Sequence, residues 1–148
     1  MWVRRVGAYL VAVMVTYALA AIAATQSVIG SLGRMGVQIN AGQRLSMTGH
    51  DLVGMAGLFL PLVAVALLIA FLLTALLVRR LPGGRRWLFP LAGAVAMLAL
   101  HLAMKAAFGI TPIAAARSTT GLLVQTLAGA AGGYVLIRLA VGSSRPAK

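Results

Sequence analysis

His101 and Lys105 lie four residues apart in the apolar run ALHLAMKAAFGI, and Asp51 is the one carboxylate in a chain that carries thirteen lysines and arginines. With Arg44, Arg117 and Gln125, these are the residues able to do or guide chemistry. Four-residue spacing sets His101 and Lys105 on one face of a helix. A lysine near the end of a membrane span reaches the headgroups by laying its stem along the helix. A histidine deeper in the span has no such reach, and turning it towards lipid tails costs several kcal/mol. His101 is therefore expected to face other helices, and an ionisable group so placed is a functional-site candidate by default. The bland alternative is a neutral imidazole satisfied by a backbone carbonyl or by the hydroxyl of Thr16 or Tyr17.

Asp51, beside His50, invites two readings. An acid at the start of a helix accepts from free N–H groups and suits the positive end of the helix dipole. A single acid among many fixed positive charges also calls for an ion-pair partner, and Lys105, Arg117, Arg44 and His101 are the candidates. Gln125 alone reads as an interhelical hydrogen-bonding residue. Together, His101, Lys105, Gln125, Asp51, Arg117 and Arg44 are expected to line a net-positive pocket at the outer end of the molecule. Its natural guest is an anion, either a lipid phosphate or a small carboxylate. His50, Asp51 and His101 follow no metal-ligand spacing, so no metal is assigned. No cofactor is assigned either, because no glycine-rich phosphate loop is present. The absence of cysteine excludes disulfides, thiolate nucleophiles and redox dithiols. A Ser–His–Asp hydrolase would require Asp51 behind a histidine, and no catalytic motif places it there.

These residues must be positioned by membrane helices. Four apolar runs, each near the roughly 20 residues a bilayer-spanning helix needs, are separated by short polar or basic pieces. The runs do not alternate in and out, which excludes a membrane barrel. The expected fold is an all-α integral membrane protein of one domain, residues 1–148. Its four spans fall at about 6–26, 52–78, 87–108 and 119–140. Pro61 is expected to kink the second span, since it has no N–H for the carbonyl of Gly57. Pro90 is expected in the first turn of the third, where a missing N–H costs little. Residues 27–51 form the longest connection. Within it Val28, Leu32, Met35 and Ile39 share a helical face over 28–39, which suits a short interfacial helix. Gly30, Gly33 and Gly36 argue equally for an irregular loop.

SMTGHDLVGMAG (46–57) aligns without a gap on STTGLLVQTLAG (118–129), each with an arginine just before it, Arg44 or Arg117. The alignment suggests two tandem helical hairpins in parallel orientation, an arrangement that recurs in transporters. Chance similarity between small-residue-rich spans is the competing reading. GAAGG (129–133) contains the G-x-x-x-G spacing that lets helix backbones approach closely.

A net charge of +12 in a soluble chain would point to nucleic acid. Here the charges flank membrane spans, so they read as topology signals and contacts to anionic lipid, and nucleic acid is not a partner. Arg4, Arg5, Arg79, Arg80, Arg85, Arg86, Arg138, Arg145 and Lys148 fall on one side, and Arg34, Arg44, Lys105 and Arg117 on the other. That asymmetry places both termini in the cytoplasm. The first span is expected to be retained rather than cleaved as a signal peptide. The composition suits a bacterial inner membrane. The leading function is non-enzymatic: binding of an anionic lipid or small anion in an outer-leaflet pocket, with transport as an extension of it. The rivals are an accessory subunit of a larger membrane complex and a membrane enzyme acting on a lipid. A homo-oligomer or larger assembly is expected with any of them.

Overall fold

The computed structural model describes residues 2–110 and 112–141. Arg145 and Lys148, counted above among the cytoplasmic bases, lie outside them. The described residues are all-helical: α1 (Trp2–Arg34), α2 (Ala41–Gly54), α3 (Phe59–Val78), α4 (Arg85–Phe108) and α5 (Thr119–Val141), with single 3₁₀ turns at Pro82–Gly84 and Ala114–Arg117. Four of them, α1, α3, α4 and α5, are long and apolar enough to cross a membrane. Lipid offers the backbone no hydrogen-bond partner, so such runs must close their own bonds as helices. The fold is that of a multi-pass transmembrane helical bundle.

The connection 27–51 differs from both expectations. No separate helix forms over 28–39. Gly30 and Gly33 do not break α1, which runs on to Arg34 and is about 50 Å long at 1.5 Å per residue. It stops at Gly36, whose φ of 85° only glycine adopts without strain. Val37 N donates to Leu32 O and Gly36 N to Gly33 O, the paired bonds of a Schellman ending. The helix of this segment is instead α2. Asn40 opens it: Gln43 N donates to Asn40 Oδ1 (2.8 Å) and Asn40 N to Gln43 Oε1 (2.9 Å), a reciprocal capping box.

Pro61 does not kink a continuous second span; the span is divided there. α2 ends at Gly54, residues 55–58 form a turn, and α3 starts at Phe59. Pro61 then falls in the first turn of α3, where its missing N–H removes no helical bond. Pro90 moves the other way. α4 begins at Arg85, so Pro90 sits inside the helix.

Around the bundle the spans follow the order α3, α4, α5, α1, with α5 packed closely on both α4 and α1. The α1–α3 side is the least closely packed, bridged where Tyr9 Oη donates to Ala64 O (2.6 Å). Small residues explain the order. Gly93 of α4 and Gly129 of α5 meet backbone to backbone, and Gly133 lies on the carbonyl of Phe89. Gly132 lies against Thr16 of α1. The ends are fastened by Arg4, whose guanidinium donates to Leu139 O (3.1 Å) and Ala140 O (3.0 Å) at the C-terminus of α5.

The two copies of the repeat serve different structures. Ser46 lies inside α2, which is not a span. Ser118 precedes α5, and its Oγ accepts from Gly121 N (3.0 Å). Gly57 is in a turn, whereas Gly129 meets the backbone of Gly93 in the α4–α5 contact.

Candidate functional site

α2, the C-terminal halves of α1 and α4, and the N-terminal half of α5 with the turn before it carry the residues singled out from the sequence. α2 descends along α1: Gln26 Nε2 donates to Thr48 Oγ1 (3.3 Å), Thr25 Oγ1 to Asp51 Oδ2 (2.7 Å), and Tyr17 Oη to Leu52 O. The Tyr17 ring continues into an aromatic line. It lies 6.0 Å from Phe59, whose ring is met edge-on by His101 at 6.1 Å. Phe59 is the first residue of α3, so the division at Pro61 brings α2, α3, α1 and α4 together here.

His101 is buried, with Nδ1 2.8 Å from Met97 O one turn back on its own helix. A carbonyl only accepts, so Nδ1 carries the proton and Nε2 of the neutral ring is an acceptor. Gln125 has no exposed surface. Its Nε2 donates to Ala20 O of α1 (2.9 Å), which leaves Oε1 as an acceptor. Met97 packs on Gly129, and one turn further along these antiparallel helices His101 stands level with Gln125. His101 Nε2, Gln125 Oε1 and Thr16 Oγ1 are the three buried side-chain polar atoms, among the described residues, with no hydrogen-bond partner.

Asp51 is half-buried in the last turn of α2 rather than at the start of a span. It is therefore not an N-terminal cap, and it sits at the negative end of the α2 dipole. Its hydrogen-bonding partner is a hydroxyl, Thr25, that sequence reasoning did not single out. Arg44 on α2, Lys105 near the end of α4, and Arg117 before α5 are exposed. The structure thus brings His101 and Gln125 to one interior level and leaves Lys105, Arg44 and Arg117 outside it.

This division has a chemical consequence. An anion needs donors, and the two amphoteric side chains at the buried level turn acceptors inward. With the imidazole neutral, the unpartnered atoms of His101 and Gln125 are both acceptors. Donor capacity lies with the exposed guanidinium and ammonium groups. The residues that sequence reading missed were partly signalled: Asn40-x-x-Gln43 is a capping-box pattern. Nothing local signals Thr25 or Phe59, which look like ordinary span residues, and the Tyr17 hydroxyl, a candidate partner for His101, donates to Leu52 O instead.

Comparison with protein-family models, with curated proteins and with solved structures finds no match.

Proposed function

We propose that this chain is a non-enzymatic, multi-pass protein of a bacterial inner membrane, with both termini cytoplasmic, that binds an anionic lipid headgroup or a small anion at its outer end. One observation carries the reading. At that end Arg34, Arg44, His50, Lys105 and Arg117 are all exposed, while Asp51 is half-buried and hydrogen-bonded to Thr25. The outer face therefore presents basic groups, and its only acid is drawn back into the protein. Arg44, Lys105 and Arg117 are the binding residues, each offering several donors to phosphate oxygens. His101 and Gln125 brace the helices that carry them. A cavity of about 360 Å³ between the end of α1 and α2, lined in part by Leu32, Ile39, Gln43 and Met47, adjoins Arg44 in sequence and gives an acyl chain or ligand body room.

The test is thermal unfolding in detergent with added phosphatidylglycerol or phosphatidylcholine. A ligand at a hundred times its Kd stabilises by about 2.7 kcal/mol. The anionic lipid should raise the midpoint and the zwitterionic one should not. The gain should shrink in the triple variant Arg44→Gln, Lys105→Gln, Arg117→Gln. Equal effects of both lipids, or an unchanged gain in the triple variant, would remove the outer end as the site.

A further inference from the structure

At the opposite end of the bundle the turn RRLPGGRR joins α3 to α4. Arg79, Arg80, Arg85 and Arg86 are all exposed there. Among the described residues, none of their guanidinium groups has a hydrogen-bond or ion-pair partner. The contrast with the same end of α1 and α5 is clear. Arg4 is used on the α5 carbonyls, and Arg138 Nε donates to Tyr134 Oη (2.7 Å).

Between α3 and α4 an apolar groove of about 610 Å³ faces outward. Alanines, among them Ala66, Ala70, Ala92 and Ala99, line it along with leucine, valine and isoleucine side chains. It extends along α3 from Leu62 to Leu77, about 22 Å at 1.5 Å per residue. Its basic end is marked by Leu77 and Leu88. Arg80 follows Leu77 by three residues, just past the end of α3, and Arg85 opens α4 three residues before Leu88, so both lie beyond that end of the groove.

We propose that this groove holds one acyl chain of an anionic phospholipid whose phosphate sits on Arg80 and Arg85, a second lipid site distinct from the outer basic face. Length and charge select this occupant. One leaflet of hydrocarbon is about 15 Å deep, so a chain starting at the arginines fits within the groove. A second copy of this chain carries thirteen lysines and arginines and one acid, so it offers the four arginines little counter-charge. Four arginines without acids at the mouth favour a phosphate over a zwitterionic headgroup. Basic pockets between spans bind anionic headgroups in this way.

The experiment is native mass spectrometry of the full chain released from micelles containing equal phosphatidylglycerol and phosphatidylcholine. The wild type should retain phosphatidylglycerol. Arg80→Gln with Arg85→Gln should lower that retention about thirtyfold, about fivefold per guanidinium. Ala92→Phe keeps all four arginines and fills the groove about 10 Å along α4 from Arg85, within the depth of one leaflet, so it should lower retention too. Millimolar inorganic phosphate should not displace the lipid. The outer triple variant should leave this lipid in place, which separates the site from the function proposed above. Full retention in the arginine double variant, or full retention in Ala92→Phe, would overturn the proposal. So would displacement by free phosphate, or loss of the lipid in the outer triple variant alone.

Discussion

Substituting alanine for glycine should destabilise this protein at one helical position and stabilise it at another. At Gly129 a methyl group would meet the carbonyl of Gly93, its carbon 2.7 Å away, and Met97 Cγ at 2.6 Å. Carbon atoms pack comfortably at about 3.5–4.0 Å, so α4 and α5 must part by about 1 Å. A gap of that size forfeits a quarter to a half of each dispersion contact along the seam. Overpacking of this kind costs about 1–3 kcal/mol, and the obstacle here is backbone, which cannot swing away. At Gly7, inside α1, nothing lies within 4 Å of the added methyl. There Gly7→Ala should gain about 0.5–1 kcal/mol from helix propensity alone. Helix propensity favours alanine at both positions, so the two variants should differ by the overpacking cost, about 2 kcal/mol or about thirtyfold in the unfolding equilibrium. Reversible unfolding in mixed micelles, followed by helical circular dichroism, measures both. If Gly129→Ala is as stable as Gly7→Ala, the close α4–α5 crossing is refuted, and with it the register that sets His101 level with Gln125.

Asn40→Ala should remove the side-chain half of the capping box, the bond from Gln43 N to Asn40 Oδ1, and cost α2 about 1 kcal/mol, seen as faster amide exchange in its first turn; unchanged exchange would deny the cap a role. Thr25→Val keeps the shape of the side chain but takes the donor from Asp51, a hydrogen bond to a charged group worth about 1.5–3 kcal/mol. Exchange across the C-terminal half of α2 should accelerate, and no change there would mean that α2 is held by other contacts. A cysteine at Gly83 should be protected from an impermeant thiol reagent in intact cells and one at Gly42 labelled; the reverse pattern would invert the proposed orientation.

Much of the architecture was legible because the demand behind it is local. An apolar run in lipid has to bond its own backbone, so four runs of sufficient length mean four helices wherever they pack. The positive φ at Gly36 and the capping box at Asn40 are equally local, and a stricter reading of NAGQ would have located α2. Pro61 shows where locality ends. The rule that proline interrupts a helix was available, but a kink and a division satisfy it equally. The division is favoured by α2 lying along α1, where Thr25 bonds to Asp51 across 26 residues of sequence.

The candidate site belongs almost wholly to the tertiary structure. The residue types at 51, 101 and 125 announce polar chemistry, but not which atoms remain free to do it. That is decided by Met97 O taking the Nδ1 proton of His101 and by Ala20 O, 105 positions away, taking the amide hydrogen of Gln125. A carbonyl oxygen at hydrogen-bonding distance turns the remaining histidine and glutamine atoms into acceptors, and the sequence carries no record of that distance. Apolarity and charge order are properties of the chain read in one dimension. Donor and acceptor directions exist only once small residues on α4 and α5 have let the helices meet.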